Sequence, residues 1–167
     1  MGERTMAKKL GGFIQRGTLA SDNLKLFKAC GALLLANDTK RLLFLLRDND
    51  THSNTWGLVG GKVEENESVF QALEREILEE VGKPVSIRKT IPIELFNSED
   101  GNFEYHTFVC LIDEEFIPKL SDEHKGYCWC DVESFPKPLH PGLWSSLSNY
   151  EVKKKLHTVR EILEITC

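Results

Sequence analysis

Apolar and polar positions along the chain fall into blocks of different period. Residues 1 to about 24 are polar and show no clear period, so 1–25 reads as a flexible arm and 26–167 as one folded domain. From Leu26 the apolar runs LFKACGALLLA and RLLFLLRD flank the turn formers Asn37 and Asp38, which predicts two strands and a short connection. THSNTWGLVGG follows as loop and short strand, with glycines that mark close backbone approach. Val69, Leu73, Ile77 and Val81 then recur at i+4, one face of a helix. Ser68 or Asn66 can cap its start, and Gly82 followed by Pro84 ends it. VSIRKTIPIELF reads as a strand whose Pro92 favours an edge or a bulge. Asp100 and Gly101 make a tight turn into the strand NFEYHTFVCLID, where Phe103, Tyr105, Thr107, Val109 and Leu111 share a face. GYCWCDV is a further strand. YEVKKKLHTVREILEI is an amphipathic helix with Val152, Leu156, Val159, Ile162 and Leu163 on its apolar side. Strands separated by one internal helix, with another at the end, predict an α/β chain: a mixed sheet covered by helices on both faces, and not a doubly wound one.

The bulk numbers narrow the function classes. A chain of 167 residues, 41% hydrophobic, supplies one core, and a net charge of -5 weighs against a broad nucleic-acid surface. No apolar run is long enough to span a membrane, and MGERTMAKKLGGFIQRG lacks the apolar stretch of a secretory signal. Cys30, Cys110, Cys128, Cys130 and Cys167 are odd in number and match neither a disulfide framework nor a paired zinc motif. Reduced thiols in a cytoplasmic protein are the simplest reading. Cys128 and Cys130 fall on one strand face, where core thiols are a plainer reading than metal ligands.

The internal helix carries an unusual load of acid. At about 100° per residue, Glu76, Glu79 and Glu80 fall within an arc of roughly 100° beside the apolar stripe. Such a cluster is either a solvated acidic face or a set of partly buried carboxylates that needs a cation. Arg75 can offset one charge, and a divalent metal that prefers oxygen ligands would offset the rest. No dinucleotide fingerprint and no phosphate-binding P-loop occurs to suggest another nucleotide chemistry.

Gly61, Glu67, Arg75, Glu76, Ile77, Glu79, Glu80 and Gly82 match the pattern G-x5-E-x7-R-E-U-x-E-E-x-G-U, where U is apolar. Seven fixed residues at about 7% usage each would coincide roughly once in 10⁸ starting points. This is the Nudix box, and the chain resembles a Nudix hydrolase. Lys83 departs from the last apolar position, which predicts altered packing at the helix exit without loss of chemistry. The resemblance covers about residues 26 to 165 and implies the family's α/β/α sandwich with a mixed β-sheet.

The resemblance also implies roles. Glu76, Glu79 and Glu80, with the Gly60 carbonyl, would hold Mg²⁺ or Mn²⁺. Arg75 and Glu67 would form an orienting ion pair, although Glu67 also suits a helix N-terminus on charge alone. The general base stays open between Glu76 and Glu123, and Glu123 also reads as an exposed loop acid. His124 beside it reads as a surface residue. Arg47, at the end of the second strand, and Lys62 are candidate phosphate ligands. Phe96 and Tyr105, with Trp56 and Phe103, could stack a base, against the plainer role of core packing.

The expected reaction is attack of water on a nucleoside diphosphate linked to another group, with a free nucleoside triphosphate or nucleotide sugar as the leading substrate. Markers of ADP-ribose, NADH and coenzyme A subgroups are absent. The 5′ end of RNA is the alternative, drawing on Lys8, Lys9, Arg16, Lys25 and Lys28. A non-catalytic nucleotide-binding module is a third reading, which the complete set of box glutamates disfavours. The expected partner is a small-molecule nucleotide, not a membrane, and a homodimer stays open.

Overall fold

The hairpin at Asn37 and Asp38 joins β1 (Phe27–Ala36) to β2 (Leu42–Arg47), yet the two strands pair only at Leu35 and Leu42. The computed structural model that reveals this describes residues 26–165, so the 1–25 arm and Cys167 lie outside the described residues. Below the turn β1 turns to other neighbours. On one side it pairs in parallel with β6 (Phe103–Ile112) along its whole length, from Phe27 opposite Phe103 to Ala36 opposite Ile112. On the other it takes β4 (Val59–Lys62), with Gly31 opposite Gly60 and Cys30 opposite Gly61.

β2 diverges to pair with β3 (Trp56–Gly57) and with β7 (His124–Cys130), whose register shifts between Leu46 and Arg47. β5 (Lys89–Asn97) is an edge strand on β6, and it bulges between Pro92 and Glu94, as a residue without an N–H invites. The path β3-β2-β1-β6-β5, with β4 on β1 and β7 on β2, is one mixed sheet. β4 and β2 share one edge of β1, Leu42 of β2 near the turn and Val59–Lys62 of β4 beyond it.

Alternation along β1 sorts the core into two layers. Cys30, Ala32 and Leu34 face α1 (Val69–Val81) and pack with its Ala72, Leu73, Ile77 and Val81. Leu33 and Leu35 face α2 (Pro141–Ser148) and α3 (Tyr150–Ile165), meeting Leu143, Leu147, Val152 and Leu156. The result is a three-layer α/β/α sandwich around a mixed sheet. Two details of the helical layer correct the sequence reading. The eight residues of α2 form a helix that periodicity did not identify. Ile162 is 55% exposed instead of joining Val159 and Leu163 against the sheet.

α1 is closed at its start by side chains and at its end by a backbone turn. Ser68 Oγ accepts from Gln71 N at 3.2 Å, and Gln71 Oε1 accepts from Ser68 N at 2.8 Å, a complete capping box. Gly82 adopts a left-handed φ of 68° and donates its N–H to the Leu78 carbonyl. A side chain there would overlap the Lys119 carbonyl, so glycine is required both by conformation and by space. The departure at Lys83 is absorbed just beyond this point. Its ammonium lies 4.3 Å from the centre of the Phe116 ring, so the charge sits on an aromatic face.

Candidate active site

The acidic side chains of α1 have three different environments. Glu79 is the outermost, with a side chain 58% exposed. Glu76 is largely covered, because Gly61 on β4 comes so close that a Cβ there would overlap its carboxylate. Glu80 is buried, only 6% exposed, and its Oε2 accepts a 2.8 Å hydrogen bond from the Gly60 N–H. The two glycines therefore do different work. Gly61 leaves room for a carboxylate. Gly60 lies against the Cys30 carbonyl and Gly31 Cα of β1 and presents its N–H to the helix.

Arg75 is the nearby cation. Its guanidinium donates to both oxygens of Glu67, at 2.7 and 3.2 Å, and to Glu76 Oε1 at 2.8 Å. It reaches Glu79 at 3.4 Å and the Lys62 carbonyl at 2.9 Å. Glu67 also accepts from the Glu64 N–H at 2.7 Å, which fixes the loop before the helix. Its carboxyl is held below the usual range, chiefly by the hydrogen bonds from Arg75.

One arginine does not neutralise this cluster. Burial pushes the Glu76 carboxyl up, and repulsion from Glu79 and Glu123 adds to the push against Arg75. Glu80 is driven further, to about 8, by burial first and then by Glu76 and Glu123, against the Gly60 hydrogen bond. Glu123 lies just before β7, exposed, and within electrostatic reach of both. Among the described residues, no three acidic, His or Cys side chains already converge as a metal cage. What the cluster offers is a set of hard oxygen donors with uncompensated negative charge, the donor chemistry that suits a small divalent cation.

Beside the acids lie basic and aromatic side chains from other strands. Arg47, half-buried at the end of β2, lies within charge range of Glu80, His124, Tyr105 and His140. Its Nε is buried without a hydrogen-bond partner. His124 corrects the sequence reading of a surface residue: it is buried, with Nε2 3.9 Å from Glu80 Oε1 and Nδ1 3.5 Å from Ser121 Oγ. Burial, helped by Arg47, lowers its pKa to about 4 and keeps it neutral. His140 was also missed by sequence reasoning. It packs edge-on against His52 at 4.6 Å, and its backbone N–H donates to the Trp56 carbonyl. A lone histidine in a loop carries no spacing signal that could have found it.

The remaining candidates are spread over β3, β4, β5 and β6. The Tyr105 hydroxyl lies over Gly31, in space that a side chain there would occupy, beside Leu58. Burial pushes its pKa up. Phe96 stands opposite Tyr105 on β5 and is 49% exposed, with Phe103 between them at ring distances of 6.4 and 6.3 Å. Lys62 is exposed at the end of β4. Trp56 packs in the layer of α2 and α3 and bonds through its backbone to Pro138 and His140.

Residues 25–150 match the NUDIX domain family. The dihydroneopterin triphosphate diphosphatase of Haemophilus influenzae is 30% identical over 147 residues, covering 77% of this chain and 86% of that protein. The nucleoside triphosphatase NudI of Escherichia coli is 31% identical over 112 residues, covering 60% of this chain and 79% of its own. Among solved structures, a Nudix hydrolase of M. smegmatis, RenU, superposes with a TM-score of 0.65 at 22% identity, over 85% of this chain and 96% of that one. A MutT NUDIX hydrolase of Burkholderia pseudomallei gives 0.59 at 25% identity, over 75% and 98%. With the box, the sandwich and these likenesses together, the chain belongs to the NUDIX domain family of hydrolases.

Proposed function

We propose that the protein is a divalent-metal-dependent pyrophosphohydrolase that cleaves the phosphoric anhydride of a free nucleotide, with a nucleoside triphosphate as the leading substrate. The observation that carries this reading is the excess of acid at Glu76 and Glu80, raised further by Glu79 and Glu123, with the unpaired Nε of Arg47 in charge range of Glu80. The named activities of the Haemophilus and Escherichia relatives, both on triphosphates, support it.

Family members generally require a divalent metal. Glu76, Glu79 and Glu80, with the Gly60 carbonyl, would hold Mg²⁺ or Mn²⁺, which when bound neutralises the diphosphate and acidifies water. The chain's own groups do the rest. Arg75 ties Glu67, Glu76 and Glu79 together, so the carboxylates are oriented before substrate arrives. The Gly60 N–H fixes one oxygen of Glu80 and leaves the other toward His124. His124, neutral and buried, fills that wall without adding a charge that would repel a cation. Arg47 meets the phosphates with Lys62 at the rim, and Phe96 and Tyr105 contact the nucleoside. Glu123, exposed and in no ion pair among the described residues, can take a proton from water, as can Glu76. Four unlinked cysteines, Cys30, Cys110, Cys128 and Cys130, suit the reducing cytoplasm.

The test is a phosphate- and diphosphate-release panel with Mg²⁺ or Mn²⁺. Its substrates are nucleoside triphosphates, nucleotide sugars, dinucleoside polyphosphates and 5′-triphosphate RNA. Turnover of a nucleoside triphosphate is expected. Turnover of RNA alone would move the substrate class, and failure on every substrate with both metals would overturn the enzyme reading.

A further inference from the structure

β5 carries a half-buried carboxylate, one of whose oxygens has no partner among the described residues. Glu94 follows the bulge at Pro92 and stands opposite Thr107 of β6. Its Oε2 is buried and has no hydrogen-bond partner. No ion pair reaches it among the described residues. The Lys155 ammonium of α3, which reaches this strand, donates to the neighbouring Ile93 carbonyl at 2.7 Å. An unpartnered carboxylate oxygen is costly, because it has lost water and gained no donor.

Its position explains what could supply the donor. Glu94, Thr107, Gly31 and Gly60 form one row across four neighbouring strands, each opposite the next. Three strand spacings put Glu94 roughly 14 Å from Gly60. That separation is of the order of a nucleotide's reach from its diphosphate to the far edge of its base. Glu94 also shares its sheet face with Thr107, Tyr105 and Phe96, since residues directly opposite in an antiparallel pair point the same way. Along this face β6 passes from buried Val109 and Leu111 to partly open Tyr105 and Phe103, with half-exposed Phe96 beside them. A flat heterocycle lying on those rings would present its edge to Glu94.

We propose that Glu94 is a specificity-determining residue that reads the base. Its carboxylate accepts from two adjacent donors, the ring N–H and exocyclic amino group of a 2-amino-4-oxopyrimidine edge. That edge is common to guanine and to pterins. Adenine offers its amino group beside a ring acceptor, which the carboxylate repels; hypoxanthine keeps the ring N–H and lacks the amine. The assignment deepens the pyrophosphohydrolase reading and rests on it.

The experiment compares kcat/KM of wild type and Glu94→Gln for GTP, ITP, ATP and a 2-amino-4-oxopteridine triphosphate, with Mg²⁺. Wild type should favour GTP or the pteridine over ITP by about 10–100-fold, the worth of a hydrogen bond to a charged group. Which of those two is the better substrate separates the sources of the edge. In Glu94→Gln the GTP-to-ITP preference should shrink to within about threefold, through KM and with kcat nearly kept. The variant should melt at or near wild type, because no hydrogen bond of the described fold depends on the buried oxygen. Wild type that hydrolyses all four equally, or a variant that loses GTP and ITP alike, overturns the assignment while leaving the enzyme reading intact. So does a variant that melts well below wild type, which would mean that the fold itself uses the carboxylate. Wild type inactive on every anhydride with Mg²⁺ and Mn²⁺ instead overturns the reading on which this one rests.

Discussion

Glu80 combines the deepest burial of the box acids with one fixed hydrogen bond, so its substitution separates chemistry from folding. Glu80→Gln keeps an acceptor for the Gly60 N–H and removes a charge that burial disfavours. Turnover should fall at least about a hundredfold, as for a lost metal ligand, while the melting temperature holds or rises. A variant within a few-fold of wild-type turnover would count heavily against the site. The same residue gives the metal-free protein a pH signature. With a folded pKa of about 8 against an ordinary 4.5, Glu80 binds a proton on folding, so it makes stability fall as pH rises through that window. His124, lowered from 6.5 to about 4, does the opposite, and stability rises with pH between those values. The two slopes oppose each other up to about 6.5, which leaves a decline from there to about 8. Urea midpoints of the metal-free protein between pH 6 and 8.5 should show it, and Glu80→Gln should flatten it. At this scale the glutamates were legible because their spacing is a pattern. His124 was not: its burial comes from the pairing of β7 with β2, a contact between distant segments.

The elements that hold the site respond to smaller changes. Ser68→Ala removes one half of the capping box of α1 and should cost about 1 kcal/mol in urea unfolding, with kcat/KM nearly unchanged. Gly61→Ala should do the reverse. Its Cβ would meet the Glu76 carboxylate, the far end of a flexible side chain, so the chain can fold around it while the carboxylate is displaced. Activity should fall about tenfold or more, in line with what a misplaced catalytic group costs, with little change in melting temperature. Both ends of α1 could be read in advance, because Ser68 and Gly82 act within a few residues of themselves. α2 could not: over eight residues it buries only Leu143 and Leu147, one apolar pair and too short a run for a period. Ile162 fits the helical spacing yet faces solvent, since the width of the apolar face is set by what α3 packs against.

For the whole molecule, a ligand that binds the folded state alone stabilises it by mass action. Mg²⁺ or Mn²⁺ at about a hundred times its dissociation constant should add roughly 2.7 kcal/mol. At one fixed metal concentration the gain should be larger at pH 8 than at pH 6, because at pH 6 the metal must first displace the Glu80 proton and so binds more weakly. Calorimetric melting should show the shift in wild type and little of it in Glu80→Gln. The layered class was legible from the order of strands and helices, whereas the sheet's path was not. The parallel pairing of β1 with β6 joins segments some 76 positions apart, as Phe27 opposite Phe103 shows, and no local pattern encodes it. At the end of that path β5 has one strand neighbour among the described residues, and its outer rim could recruit a second molecule into a growing ribbon. Pro92 withholds a donor there, the bulge breaks the flat run, and the Lys155 ammonium plugs the Ile93 carbonyl. Concentrated solutions should accordingly resist fibrous clumping, a colloidal virtue traceable to three neighbouring residues.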